Sequence, residues 1–122
     1  MKKITIESTF EVYDTFEELA TPIQNLLKKA ADARKKAYAP YSKFLVGAAL
    51  ELENGEIIAG NNQENASYPS GLCAERTAVY YAGAEFPDQK ILRMAIVAGS
   101  TLNPTTKPIP PCGACRQALS EY

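Results

Sequence analysis

Histidine is absent from the 122 residues. With it go the side chain that titrates near neutral pH, the Ser-His and Cys-His nucleophile pairs and imidazole ligation of a metal. Acid–base or metal chemistry must therefore draw on Cys, Glu, Asp, Lys or Tyr. Cysteine is scarce and odd in number, three in all, and Met1-Lys2-Lys3 leads into alternating polar residues rather than an apolar export segment. A disulfide framework is not expected, which leaves reduced thiols or metal thiolates in a cytoplasmic protein. No apolar run reaches the ~18 residues of a bilayer span, so no membrane is expected as a partner. Neither sign of charge dominates: 13 basic against 14 acidic side chains give a net charge of −1. A surface without a basic excess cannot neutralise many phosphates, and long nucleic acid is not an expected partner. Internal repeats and low-complexity segments are also missing.

What is present is enough for one core. With 46% apolar and 22% charged residues, a chain of this length makes a single domain that buries roughly two-thirds of the surface exposed when unfolded. The first dozen residues, with Ile4 and Ile6 alternating and then Phe10 and Val12, read as a short edge strand or an arm. Leu19, Ile23, Leu26, Leu27, Ala30 and Ala31 form an apolar stripe at helical spacing, predicting a helix from about Pro22 to Lys36. Thr21 is its expected N-cap, with Gln24 at the capping-box position. Strand-like runs Phe44 to Glu53 and Glu56 to Ala59 flank Asn54-Gly55, which predicts a hairpin with a type I′ turn. The polar loop from Gly60 to Gly71 is long enough to be a binding loop. A helix from Cys73 to about Ala84 is expected to turn Cys73, Thr77, Tyr80 and Tyr81 inward, with Gly83 at its end. Ile91 to Gly99 reads as a central strand covered on both faces. After the Pro-rich stretch 101–111 a third helix opens at Cys112. This alternation predicts an α/β fold, a three-layer α/β/α sandwich around a mixed sheet.

The chemistry concentrates in Cys73-Ala74-Glu75 and Pro111-Cys112-Gly113-Ala114-Cys115. Each segment begins a predicted helix, where the positive end of the helix dipole lowers a thiol pKa toward the metal-binding thiolate. Cys112 and Cys115 share one face of a first turn, and Cys73 from the other helix supplies a third corner of a tetrahedron. No His or fourth Cys fills the last corner. Three protein ligands with one open position is the arrangement of a catalytic zinc, whose bound water has its pKa lowered from 15.7 to about 7. Glu75, on the same first turn as Cys73, is the natural proton carrier. Other readings remain open on spacing alone: inert buried cysteines, a thioredoxin-like redox pair at Cys112 and Cys115, and a structural zinc completed by Asp or Glu.

These motifs resemble the cytidine deaminase family of small zinc nucleoside deaminases, which carry a Pro-Cys-x-x-Cys segment and a non-ligating Glu. The resemblance runs from about Leu26 to Tyr122 through Tyr38-Ala39-Pro40-Tyr41-Ser42-Lys43-Phe44, Val46-Gly47-Ala48-Ala49, Glu64-Asn65-Ala66-Ser67-Tyr68, Cys73-Ala74-Glu75-Arg76 and Pro111 to Gln117. It implies one zinc per chain, held by Cys73, Cys112 and Cys115, with Glu75 as proton shuttle. It further implies that Phe44 lies beside the base, that Asn62 and Glu64 hold the ribose hydroxyls, and that the Ala74 backbone contacts the pyrimidine. Arg76 is implied to offset thiolate charge, and Tyr68 to approach a neighbouring subunit's site in a homotetramer. The expected reaction is deamination of cytidine and 2′-deoxycytidine, a step of pyrimidine salvage. A modified nucleoside of the blasticidin S type and a non-catalytic zinc module are the rival readings. Residues 1–21 are expected to be an N-terminal arm and 22–122 the catalytic domain. The family usually carries further C-terminal strands, and these are expected to be absent here because the chain stops at Tyr122 in mid-helix pattern.

Overall fold

The computed structural model describes residues 1–122. Residues 1–13 form no regular structure, and Ile4, Ile6, Phe10 and Val12 are exposed. The edge-strand reading of this stretch is not realised. Alternation creates a strand only where a neighbouring strand accepts its hydrogen bonds, and nothing pairs with these residues. A 3-10 turn at Phe16–Glu18 leads into helix α1, Thr21–Arg34. Its N-cap is Ala20 rather than Thr21, and Pro22 sits in the first turn. The expected capping box is not formed. The Gln24 side chain instead donates from Nε2 to the Leu19 carbonyl at 2.9 Å.

Strand β1 (Phe44–Leu52) turns into β2 (Ile57–Asn61), helix α2 (Ala74–Glu85) crosses to β3 (Ile91–Ser100), and helix α3 (Gly113–Ser120) follows. The sheet order is β2-β1-β3. Both ladders are antiparallel, from Gly47–Asn61 to Glu51–Ile57 on one side and from Phe44–Ser100 to Leu52–Ile91 on the other. Parallel pairing enters only at the isolated bridge between Tyr38 and Gln63. The predicted hairpin is present, but its turn is not type I′. Gly55 alone has positive φ, at 88°. Its N–H donates to the Leu52 carbonyl at 2.9 Å, and the Leu52 N–H donates to Glu56. A bend followed by one left-handed glycine is the longer hairpin loop, which needs only one residue at positive φ.

The central strand is β1, not the 91–99 segment expected there; β3 takes one edge of the three-stranded sheet. The two faces of β1 explain this. Ala48, Leu50 and Leu52 point to one side and pack with Ile58 and with Ala74, Ala78, Val79 and Ala82 of α2. Ala49, with Ala95 of β3, points to the other side and meets Leu26 and Ala30 of α1. Leu119 of α3 packs on the α2 side. The result is the expected α/β/α layering, with α1 on one face and α2 and α3 on the other. The inward face of α2 differs from the expected stripe. Tyr80 and Tyr81 are exposed, and the small side chains one residue away bring the helix close to the sheet.

Close approach is most severe under α1. A Cβ added to Gly47 would lie 1.9 Å from the Ala30 carbonyl oxygen and 2.5 Å from the Arg34 nitrogen, both backbone atoms that cannot swing aside. Arg34 fixes this approach by donating from Nε to the Leu45 carbonyl at 3.0 Å and from Nη2 to the Gly99 carbonyl at 2.9 Å. Gly47→Ala should therefore lower stability by about 3 kcal/mol, read as a lowered urea midpoint at unchanged slope. A midpoint equal to that of the parent would mean that α1 can retreat from the sheet freely.

Candidate metal centre and active site

Cys73 and Cys112 are the N-cap residues of α2 and α3, both with extended backbone. Their carbonyls begin the helices. The Cys73 carbonyl accepts from Thr77 N and Thr77 Oγ1, each at 3.0 Å, and that of Cys112 accepts from Arg116 N at 2.9 Å. Neither side chain makes a capping hydrogen bond of ordinary geometry. Arg116 Nε also donates to the Pro111 carbonyl at 2.9 Å, which fastens the Pro-rich segment to α3. Cys115, one turn further on, is fully buried.

The three sulfurs lie within 4.8 Å of one another. Cys73 Sγ is 3.8 Å from Cys112 Sγ, which is 3.5 Å from Cys115 Sγ. Tetrahedral zinc with Zn–S bonds of about 2.3 Å requires sulfurs about 3.8 Å apart, so this donor set fits the ion. The electrostatics fit as well. The backbone N–H of Cys115, followed by the neighbouring thiols and the N–H of Ala114, holds the Cys112 thiol below its ordinary pKa. Burial, then the thiols of Cys112 and Cys73 and the Glu75 charge, push Cys115 up to about 12 without metal. Arg76 Nη2 donates to Cys73 Sγ at 3.5 Å, and that hydrogen bond raises the guanidinium pKa above its ordinary value. Arg76 Nε is buried without a hydrogen-bond partner. A spare buried donor beside three thiols suits a centre that carries excess negative charge when the thiols ionise.

Two cavities flank the sulfurs. The smaller, about 180 Å³, is lined by Cys73, Ala74, Glu75, Cys112 and Asn62, with apolar walls from Val46, Ile96, Ile109 and Pro110. Glu75 is 5% exposed, which places a buried carboxylate at the floor of a cleft that also takes in two of the sulfurs. The larger cavity, about 600 Å³, is lined by Tyr41, Ser42, Glu64, Tyr68 and Arg76 among others, and shares Asn62 and Cys73 with the first. Glu64 accepts at Oε2 from Tyr41 N at 2.9 Å and from Ser42 N at 3.3 Å, and at Oε1 from Ser42 Oγ. The Ser42 hydroxyl above all, then the two backbone N–H groups, hold its carboxyl below the usual range. Asn62 Oδ1 accepts from Val46 N at 2.8 Å and its Nδ2 donates to the Phe44 carbonyl at 2.9 Å.

Of the residues singled out from sequence, Cys73, Cys112, Cys115, Glu75, Ala74, Asn62 and Arg76 come together around the sulfurs. Glu64 and Tyr68 line the larger cavity, with Tyr68 91% exposed on a 3-10 turn at Tyr68–Ser70. Phe44 lines neither cavity; its backbone is held beside the centre by Asn62. The apolar walls of the small cleft were not anticipated. Val46 shares the strand face of Ala48, and Ile96 stands opposite Ala48 in the register, so alternation alone could have marked both. Ile109 and Pro110 carry no local signal, because their place follows from how α3 docks.

Because a thiol must lose its proton to ligate, and Cys115 is pushed up to about 12 without metal, metal uptake must displace at least that proton. Zinc affinity should rise with pH, with net proton release on binding in weakly buffered solution, and Cys115→Ser should bind about tenfold or more weakly. Binding without proton release would mean that the thiols are not the ligands.

Residues 20–122 match the family described as "Cytidine and deoxycytidylate deaminase zinc-binding region". The cytidine deaminase of Halalkalibacterium halodurans is 49% identical over 98 residues, covering 80% of this chain and 70% of that protein. Among solved structures, the cytidine deaminase of Burkholderia pseudomallei aligns with TM-score 0.68 at 45% identity, over 78% of this chain and 72% of the other. That of Mycobacterium tuberculosis aligns with TM-score 0.71 at 36% identity, over 84% and 78%. A match across all but the first 19 residues, on a chain whose three sulfurs converge at zinc spacing, shows that the chain belongs to the cytidine and deoxycytidylate deaminase zinc-binding family.

Proposed function

We propose that the chain catalyses hydrolytic deamination of cytidine and 2′-deoxycytidine to uridine and 2′-deoxyuridine, as a step of pyrimidine salvage. The observation that carries this reading is the Glu75 carboxylate in the small cleft, beside Cys73 and Cys112. Cys73, Cys112 and Cys115 would hold a zinc ion, which when bound would act as a Lewis acid and lower the pKa of water from 15.7 to about 7. Glu75 accepts a proton from the attacking water and delivers it to N3 of the ring as C4 is attacked. It then assists the proton transfer to the amino group, the C4–N bond breaks, and ammonia leaves. Val46 and Ile96 give a flat base an apolar wall, with the exposed Ile109 and Pro110 at its rim, and the buried Ala74 offers its backbone at the same wall. Arg76 offsets the negative charge of the sulfurs. Asn62 and Glu64, which line the larger cavity, bind the ribose hydroxyls, and Phe44, which lines neither cavity, acts beside the base through the strand entry that Asn62 holds.

The catalytic unit on this reading is 22–122, with 1–21 as an arm. The exposed Tyr68 is available to a neighbouring copy of the chain, and we assign a homotetramer with shared sites. Three free thiols suit the reducing cytoplasm. No helix is long and apolar enough to cross a membrane.

Glu75→Gln should keep its zinc and its affinity for the product uridine while turnover falls by about 10³-fold or more, followed by the ultraviolet absorbance change of cytidine. Near-normal turnover would remove Glu75 from the reaction. Zinc bound by the parent chain without turnover of cytidine, but with turnover of a modified cytosine nucleoside, would transfer the same chemistry to that substrate.

A further inference from the structure

Ser42 stands between two groups assigned to the nucleoside, although no role was given to it. Its hydroxyl donates to Glu64 Oε1 and accepts the Phe44 N–H at 3.1 Å. The residue between, Lys43, has φ of 57°, a left-handed conformation that a side chain with a Cβ disfavours. That conformation is held on both sides. Lys43 N donates to the Ala39 carbonyl at 3.1 Å, and the Lys43 carbonyl accepts from Thr101 N at 2.9 Å and Thr101 Oγ1 at 3.2 Å. A serine hydroxyl that accepts the N–H two residues on is a local turn in which side chain replaces backbone.

The consequence lies at Glu64. An ionised carboxylate has about four acceptor positions and no donor. Tyr41 N and Ser42 N occupy Oε2, and Ser42 Oγ occupies one position of Oε1. One acceptor position remains, on the oxygen whose direction the Ser42 hydroxyl sets, and both residues line the larger cavity. We propose that Ser42 is a positioning residue for the sugar: its hydroxyl aims the remaining acceptor of Glu64 at a ribose hydroxyl and ties that aim to the entry of β1 at Phe44. This rests on the reading of Glu64 as the acceptor for the sugar.

The test compares cytidine with 2′,3′-dideoxycytidine, which has the same base and lacks the hydroxyls at issue, for the parent, Ser42→Ala and Ser42→Thr zinc-loaded proteins. Ser42→Ala should raise KM for cytidine about tenfold at nearly unchanged kcat while leaving KM for the dideoxynucleoside in place, and Ser42→Thr should restore the parent values. Calorimetric titration with uridine and 2′,3′-dideoxyuridine should show the same selective weakening without turnover. An equal loss toward both nucleosides, or a fall in kcat with KM unmoved, would make Ser42 a merely structural turn residue and overturn the proposal. A parent protein that does not distinguish the two nucleosides would instead remove the sugar from Glu64, and the proposal with it. A parent that distinguishes them, with Ser42→Ala doing so equally well, would overturn the proposal alone.

Discussion

Three sulfurs within 4.8 Å of one another make an unfavourable cluster unless something positive lies among them. Ionised, they repel; protonated, they leave Cys115 buried with neighbours that only weakly accept or donate. The cluster persists because two helices begin at it. The N-caps of α2 and α3 are both cysteines, the Ala114 and Cys115 N–H groups of α3 act on the Cys112 thiol, and the Arg76 guanidinium of α2 donates to Cys73. Those groups prepare a place for negative charge before any metal arrives, and a divalent ion completes the balance. Three thiolates around Zn²⁺ would leave the centre with a net charge of −1, which Arg76 would offset through its hydrogen bond to Cys73 Sγ.

The rest of the fold exists to hold those two helix ends in register. α2 lies on one face of β1 through alanines, which allow the helix backbone to sit close to the sheet. α1 lies on the other face over Gly47, closer still. A central strand squeezed from both sides is rigid, and the cleft wall at Val46 and Ile96 belongs to the same strand face as the core residues Ala48 and Leu50. The cleft wall at Val46 and Ile96 is thus a continuation of the hydrophobic core, against which the Glu75 carboxylate is buried.

Periodicity carried much of this architecture. The stripe through Leu26 and Ala30 marked α1, and the cysteine motifs marked the starts of α2 and α3, because capping and metal ligation both act on the residues of one turn. What local pattern could not resolve was competition between equally apolar segments. Residues 44–53 read as one arm of a hairpin and 91–99 as the strand covered on both faces, and only the packing of α1 and α2 on the first made it central. The inward face of α2 was misread for a related reason: tyrosines look like core, but here the sheet demands alanine. The Thr21 cap and the type I′ turn failed where the chain had another way to satisfy the same backbone groups. Cys73, Glu75 and the 112–115 pair were legible as chemistry because few other arrangements need those side chains at those spacings. Val46 and Ile96 looked like ordinary core, and their role at the cleft follows only from where the core ends.

The two cavities meet at Asn62 and Cys73, and their contents divide the labour. Asn62 spends its amide oxygen on Val46 N and one amide hydrogen on the Phe44 carbonyl, so it acts first as a clamp on the β1 entry and has one donor and one lone pair left over. Glu64 is bound from its own side by Tyr41 and Ser42, which leaves it ionised and nearly saturated. Neither residue can therefore grip a ligand with its full hydrogen-bonding capacity, and each offers about one directed bond. On the proposed reading, recognition by such bonds from the β1 entry would favour geometry over strength: a ligand whose hydroxyls lie at the correct separation from its base would be held, while a bare base would gain only the apolar cleft. On the same reading, the proton transfer at Glu75 is separate from the sugar, whose contribution is position.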